Sequence, residues 1–145
     1  VQGGIMSKKK YIVIGITALI FIIAIIIVLV MGKTGSSWKN EILSSNNYEI
    51  IMKDCNDTQT TFPKETVKEV LNKLNNISDN GPFTGDNNAC YNTVTISYEK
   101  NSIINSVEIK IIDKSSITIN INNTVRYYTN ATDVVSYLNE QFSIY

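Results

Sequence analysis

The sequence contains no histidine and only two cysteines, two prolines and one tryptophan among its 145 residues. Histidine is the commonest general acid–base catalyst and a usual ligand of zinc and copper, so both kinds of site lack their typical residue. Catalysis would have to depend on carboxylates, lysine or tyrosine. No cofactor-binding motif and no group of residues with metal-ligand spacing occurs, and we therefore predict neither a cofactor nor a metal site.

One long apolar segment carries no charged residue. It covers residues 11–31, YIVIGITALIFIIAIIIVLVM. A helix of this length spans roughly 31 Å, close to the ~30 Å hydrocarbon core of a bilayer. We predict that residues 11–31 form a transmembrane anchor, through which the lipid bilayer is the first partner of the chain.

The charges beside this segment predict its orientation. Lysines occupy positions 8–10 directly before it, whereas only Lys33 follows it closely. The positive-inside rule therefore keeps the short N-terminus, residues 1–10, in the cytoplasm and sends residues 33–145 outward. A cleaved signal peptide is the alternative, but its apolar core is normally only about 7–15 residues long. We favour an uncleaved signal anchor.

Residues 1–5 (VQGGI) are an unusual leader for a membrane protein. Codons of the form GTG-CAA-GGA-GGT would spell a ribosome-binding element just before an ATG at Met6. We therefore expect the native chain to begin at Met6, and residues 1–5 do not enter the fold prediction. Isoleucine, asparagine, lysine and tyrosine have codons rich in A and T, and their abundance indicates a bacterial genome of that composition.

The segment beyond the apolar run has the size of one small domain. It carries ten basic and thirteen acidic residues, a net charge of −3. A nucleic-acid partner would need a basic surface, so we predict none. Residues 32–46 are predicted to be a tether with a short helix over residues 36–45, and residues 47–145 to be the folded extracytoplasmic domain.

Both cysteines, Cys55 and Cys90, lie in the part predicted to face an oxidising exterior. Two cysteines in such a domain most simply form one disulfide bond. Two unpaired thiols and a redox-active pair are the alternatives. A redox role lacks the close CxxC spacing that lowers a thiol pKa, and we therefore predict a structural disulfide.

The first half of this domain is predicted to contain one strand and one helix. Apolar and charged residues alternate over residues 47–53, which is typical of a half-buried strand. Over residues 62–77 the apolar side chains instead follow helical spacing, with Pro63 in the first turn. Residues 78–89 are rich in Gly, Pro, Asn and Asp, and we predict a loop there.

The second half is predicted to be a β-meander followed by a helix. Alternation returns over residues 94–98, 107–111 and 117–121, and residues 124–129 form one more predicted strand. Turn-forming residues separate these segments. The chain closes with an amphipathic helix over residues 131–142.

The fold class that follows is α+β: strand, helix, four-stranded antiparallel meander, helix. A bridge between Cys55, after the first strand, and Cys90, before the second, requires these strands to be close neighbours, as antiparallel strands are. This order of elements resembles the cystatin-like and nuclear-transport-factor-like arrangements. The resemblance concerns element order alone and implies no shared function.

Two adjacent aromatic residues, Tyr127 and Tyr128, lie in the last predicted strand. Only one of them can face the core, and the other is a candidate contact for a protein partner. We expect a membrane-anchored interaction or structural domain of the bacterial cell envelope. The alternative is a cell-surface enzyme that acts on cell-wall or small-molecule substrates through carboxylates. Glu99 and Glu108, on adjacent strands, are the best candidate pair for it.

Overall fold

The computed structural model describes residues 15–26 and 37–144. They belong to two compact units, the first ending at Asn40 and the second beginning at Glu41.

The first unit contains helix α1 over residues 15–26, whose apolar side chains are exposed. The predicted anchor, residues 11–31, extends past α1 at both ends, and those flanking residues lie outside the described ones. The same holds for the predicted cytoplasmic residues 1–10 and for residues 32–36 of the tether. Within the described ranges, no helix is both long enough and apolar enough to cross a bilayer.

The second unit is an α+β domain, and its described residues contain a seven-stranded antiparallel sheet. The elements from residue 37 onward are α2 (Ser37–Ser44), β1 (Tyr48–Lys53), β2 (Gln59–Phe62), α3 (Lys64–Lys73) with a 3-10 turn (Leu74–Asn76), β3 (Ser78–Pro82), β4 (Thr93–Lys100), β5 (Ile103–Ile111), β6 (Ile117–Ile121), β7 (Thr124–Thr129) and α4 (Thr132–Ile144).

The strands lie in the order β2-β1-β4-β5-β6-β7-β3. The predicted meander is confirmed as β4 to β7, and β1 lies antiparallel beside β4 with Ile50 opposite Ile96. Alternating side chains specify this register, because a slip by one residue would turn every apolar side chain to the other face. The predicted class, α+β, is therefore correct.

Two short edge strands correct the prediction in detail. The predicted loop over residues 78–89 begins with β3, which pairs with β7. The predicted helix over residues 62–77 begins only at Lys64, because Phe62 is the last residue of β2, and it ends in a 3-10 turn. Neither QTTF nor SDNGP shows an apolar alternation, so their pairing depends on strands that lie beside them only in the folded sheet.

One face of the sheet, the core face, is covered by helices. Its buried side chains come from alternate positions of the central strands and pack against the apolar sides of α3 and α4. The buried residues of these helices include Val67, Val70, Leu71, Val134, Val135 and Leu138. The sheet has one helix-covered and one uncovered face, as α+β folds commonly do.

The predicted disulfide is confirmed. Cys55 in the turn after β1 bonds to Cys90 just before β4, with the two Cα atoms 5.4 Å apart. The adjacency of β1 and β4 brings both residues to the same end of the sheet. Both cysteines are exposed, so the bond lies at the surface of the domain.

Candidate interaction surfaces

The sheet face opposite the core face, called the open face here, is mostly polar. One cross-strand row runs through Ile51, Thr95, Glu108, Asn120 and Val125. These residues alternate with the buried apolar residues of the same strands, as expected where one face of an antiparallel sheet is solvated. Within residues 37–144, the helices lie on the core face and leave the open face uncovered.

Residues 83–92, named the cover loop, cross part of the open face. They must travel from β3 to β4, four strand spacings or roughly 19 Å, which ten residues can span with length to spare. The Phe83 ring lies 5.8 Å from the ring of Tyr127. Thr118, beside Tyr127 on the same face, is only 2% exposed. The loop therefore buries one end of a face that alternation alone predicts to be solvated.

A shallow cavity of about 280 Å³ lies between the end of the cover loop and the open face. Two ion pairs line it: Lys53 Nζ lies 2.6 Å from an Asp57 carboxylate oxygen, and Lys110 Nζ lies 3.7 Å from one of Glu108. A third carboxylate, Asp54, also lines the cavity and accepts hydrogen bonds from the N–H groups of Asn56 and Thr58, so the lining carries a net charge of only −1. Its chemistry favours no particular ligand.

The best predicted carboxylate pair is not brought together. Glu108 stands opposite Thr95 in the ladder, whereas Glu99 stands opposite Ile104. Four register positions separate the two carboxylates, or roughly 13 Å along the strands. Catalysis by paired carboxyl groups uses shorter separations, of about 5–9.5 Å. Glu99 and Glu108 consequently do not form a catalytic pair in this structure.

Asp79 and Arg126 form the best-aligned ion pair at the other edge of the sheet. The guanidinium donates two hydrogen bonds, of 2.7 and 2.9 Å, to the carboxylate and lowers its pKa. Asp79 lies on β3 and Arg126 on β7. Bidentate geometry fixes orientation as well as distance. The pair thus holds the short, irregular β3 against the edge of the sheet.

The two predicted contact residues point to opposite faces. Tyr127 lies on the open face against Phe83, whereas Tyr128 lies on the core face opposite Ile117. Both are half-buried, and burial is the main reason that the pKa of the Tyr128 hydroxyl is raised. The cover loop shields the ring of Tyr127. Asp79 lies opposite Tyr128 in the ladder between β3 and β7. Neither tyrosine presents a fully exposed ring.

The most exposed large apolar side chains of the second unit lie instead on the hairpin between β4 and β5. Ile103 is 64% and Ile104 79% exposed. The turn residues Asn101 and Ser102 have φ values of 52° and 61°, the left-handed pair that a two-residue type I′ turn requires. This turn sets Lys100 opposite Ile103 and directs two adjacent isoleucines into solvent.

The β4 side of this hairpin is firmly attached to the segment after α2. The Glu99 N–H donates to the Asn47 carbonyl at 3.0 Å, and Ser45 Oγ donates to the Glu99 carbonyl at 2.9 Å. Lys100 Nζ forms an ion pair with Glu41 at 2.5 Å. The isoleucines are therefore held on an ordered support.

Sequence reasoning missed this surface because the predicted strands stop at residue 98 and resume at residue 107. The missing signal is short: a turn dipeptide, Asn101-Ser102, followed at once by two isoleucines. Adjacent residues of a strand face opposite sides, so two apolar neighbours cannot both be buried by one covering layer. That pattern could have indicated an exposed apolar strand end.

The chain matches no known family model, no curated protein and no solved structure. Function has to be inferred from the surfaces themselves.

Proposed function

We propose that the chain is a single-pass membrane protein with a cytoplasmic N-terminus, whose extracytoplasmic α+β domain acts as an interaction or structural module of the bacterial cell envelope. The apolar run over residues 11–31 and the lysines before it support the anchor and its orientation. The Cys55–Cys90 disulfide supports an oxidising compartment for the domain.

The observation that carries the interaction role is the apolar end of the β4–β5 hairpin. Ile103 and Ile104 are large, adjacent and more than three-fifths exposed, on a support ordered by hydrogen bonds. Ordered apolar side chains form binding sites efficiently, because little conformational entropy is lost on association. Tyr127 and Tyr128 remain candidate contacts in this proposal, although their half-buried rings offer less surface.

We propose further that the architecture is of the cystatin-like or nuclear-transport-factor-like kind. The support is that α3 precedes an antiparallel meander and packs on the face of the sheet that contains β1. The edge strands β2 and β3 and the cover loop are additions to the element order on which that resemblance depends. Such a resemblance concerns architecture and assigns no partner.

Topology is tested with the two cysteines. Because Cys55 and Cys90 are exposed, mild reduction of intact cells should make both available to a membrane-impermeant thiol reagent. Omitting the reductant is the control and should prevent labelling. Labelling that requires lysis of the cells would contradict the outward orientation.

The interaction role is tested with a photo-crosslinking amino acid at position 104 in the full-length chain. The matched control is position 68, where Lys68 is exposed on α3. We expect a discrete crosslinked product from position 104 in intact cells and none from position 68. Equal products from both positions, or no product from position 104, would contradict the proposed site.

A further inference from the structure

The exposed aliphatic side chains of the second unit cluster at one end of its sheet. Among residues 38–143 the large ones are Leu43, Ile103, Ile104 and Val125. The β4–β5 and β6–β7 turns, next to which the last three lie, are at the same end because β5 and β7 both run antiparallel to β6. Leu43 lies on α2 between Glu41 and Ser45, which both bond to the end of β4. This end of the sheet, which contains the β4–β5 turn, is called the hairpin end here.

The two isoleucines lie on a part of the hairpin that extends past the neighbouring strands. β6 pairs with β5 only as far as Val107, and β1 pairs with β4 only as far as Tyr98. Even beyond the β6–β7 turn, residues 103–105 continue for roughly 10 Å. Adjacent strand residues point to opposite faces, so Ile103 and Ile104 lie on opposite sides of the hairpin. A surface that meets the hairpin end can therefore contact both side chains.

The chain enters the folded domain at the hairpin end. The second unit begins at Glu41, whose carboxylate pairs with Lys100 and accepts a hydrogen bond from the Tyr98 hydroxyl. From there the chain passes through Ser45, whose hydroxyl donates to the Glu99 carbonyl, into β1. The first residues of the domain and its exposed isoleucines therefore lie at the same end.

The chain between the predicted anchor and this entry point is short. Residues 31 to 37 span at most roughly 21 Å when fully extended, and the four helical steps from Ser37 to Glu41 in α2 add about 6 Å. At most roughly 27 Å of chain thus separates Glu41 from the end of the predicted anchor, residues 11–31. The turn at the other end of β5 lies roughly 26 Å along the sheet from Ile103. The hairpin end is consequently the end that the tether can hold against a bilayer.

We propose that the hairpin end docks on the outer surface of the bilayer that holds the anchor, with Ile103 and Ile104 inserted between the lipid headgroups. This inference rests on the proposed membrane anchor and names the lipid surface as the partner of the hairpin. Removal of exposed apolar side chains from water favours the contact, whose strength grows with the apolar area buried. The polar turn residues and the outward backbone groups stay in the hydrated headgroup layer, so no unsatisfied backbone group enters the hydrocarbon.

The charges beside the isoleucines are compatible with a neutral lipid surface. Lys100 is paired with Glu41, and Glu99, opposite Ile104 in the ladder, accepts a hydrogen bond from the Asn47 amide. A contact made by two isoleucines is weak by itself, since even a single myristoyl chain gives only marginal membrane binding. The tether supplies a high local concentration of the hairpin at the bilayer and so makes the weak contact persistent.

The test uses the full-length chain in vesicles of neutral phosphatidylcholine, with the native disulfide intact. Ser102→Cys, in the turn before β5, carries a small fluorescent label, and Ser115→Cys, in the exposed connection after β5, is the matched control. Nitroxide groups on the lipids quench a label that lies at the bilayer surface. We expect quenching to be at least about threefold stronger at position 102 than at position 115, because the two positions lie beyond opposite ends of β5. Equal quenching at both positions, or none at position 102, would overturn the proposal.

A second comparison tests the isoleucines themselves. The double variant Ile103→Thr with Ile104→Thr should lower the quenching at position 102 to the level at position 115, whereas Ile103→Val with Ile104→Val should retain most of it. Valine and threonine are both β-branched and suit a strand, so circular dichroism should show the same fold for both double variants. Quenching that the threonine variant retains in full would contradict an apolar contact with the lipid.

Other occupants and failure of the anchor give distinguishable results. Quenching at position 102 that falls as the protein-to-lipid ratio rises would show that a second copy covers the hairpin, and would overturn the proposal. In intact cells, a photo-crosslinker at position 104 should form a phospholipid adduct; a protein adduct instead would contradict the docking but not the interaction role. Flotation of the vesicles measures insertion of the anchor independently of the label. A chain that does not float contradicts the anchor and the docking together, whereas a floating chain without quenching at position 102 contradicts the docking alone.

Discussion

Removing the disulfide should lower the free energy of unfolding by about 4 kcal/mol. Cys55 and Cys90 are 35 residues apart, and the chain-entropy relation gives about 3.8 kcal/mol at 25 °C for a loop of that length. A small domain has a total stability of only about 5–15 kcal/mol. The double variant, with serine at both positions, should remain folded but with a large share of its stability lost.

The structure supports assigning this loss to the unfolded chain. Both cysteines are exposed, so serine leaves no cavity in the core. The cover loop keeps other contacts in the folded state, including the Phe83–Tyr127 ring contact and a 3.1 Å hydrogen bond from the Tyr91 hydroxyl to the Asp86 carbonyl. Opening the loop therefore mainly enlarges the conformational freedom of the unfolded state.

Denaturant titration of the full-length protein in a mild non-ionic detergent measures the effect. The double variant should have a lower midpoint and a steeper dependence on denaturant, because its unfolded chain exposes more surface. The single variant Cys55→Ser is the control and should match the double variant, since either opens the loop. A loss below about 1 kcal/mol would refute the reasoning and mean that the unfolded loop is already constrained.

For three further substitutions the direction of the change in stability can be predicted. Leu138→Ala empties a fully buried position on α4 and should cost about 2–5 kcal/mol in denaturant titration, whereas Leu43→Ala, at an exposed position, should cost less than about 1 kcal/mol. Ser102→Gly removes the steric cost of a non-glycine residue with positive φ in the type I′ turn. It should increase the free energy of unfolding by about 0.5–1 kcal/mol, measured as a higher melting temperature. Asp79→Asn should destabilise at neutral pH but not in strong acid. Arg126 lowers the pKa of Asp79 in the folded protein. The stability difference between the wild type and Asp79→Asn is therefore full above the ordinary carboxyl pKa and disappears as the pH falls through the lowered pKa. Stability curves that run parallel across this pH range would contradict this.

The sequence predicted the elements that carry their own periodic signal. β1, β4 to β7, α3 and α4 each present apolar residues at the spacing of one buried face, and that burial selects their conformation. β2 and β3 lack a regular spacing of apolar residues. Each lies at an edge of the sheet and pairs with only one strand, β1 or β7. Their conformation is imposed by tertiary pairing, which local patterns do not encode.

The candidate surfaces were less predictable than the fold. Alternation places Tyr127 on the open face, but its exposure depends on the cover loop, whose path follows from where β3 pairs in the sheet. The isoleucines at positions 103 and 104 pose the opposite problem. Their exposure depends on where β6 ends, four residues short of the hairpin turn. The shielding of Tyr127 and the exposure of the two isoleucines both depend on how segments distant in the sequence are arranged in the fold.

The two surfaces differ in how much apolar side chain they expose, and this difference favours the hairpin as the candidate interaction site. On the open face, the cover loop is joined to the sheet by the Cys55–Cys90 bond and by the Phe83–Tyr127 contact, and the lysines beside it are paired with carboxylates. The exception is Asn120 Oδ1, in the cross-strand row of the open face, which is buried without a hydrogen-bond partner. On the β4–β5 hairpin, two adjacent isoleucines lie exposed at the end of a regular strand pairing. Apolar side chains on an ordered support lose little conformational entropy when they bind, so the hairpin is a better candidate contact than the half-buried tyrosines.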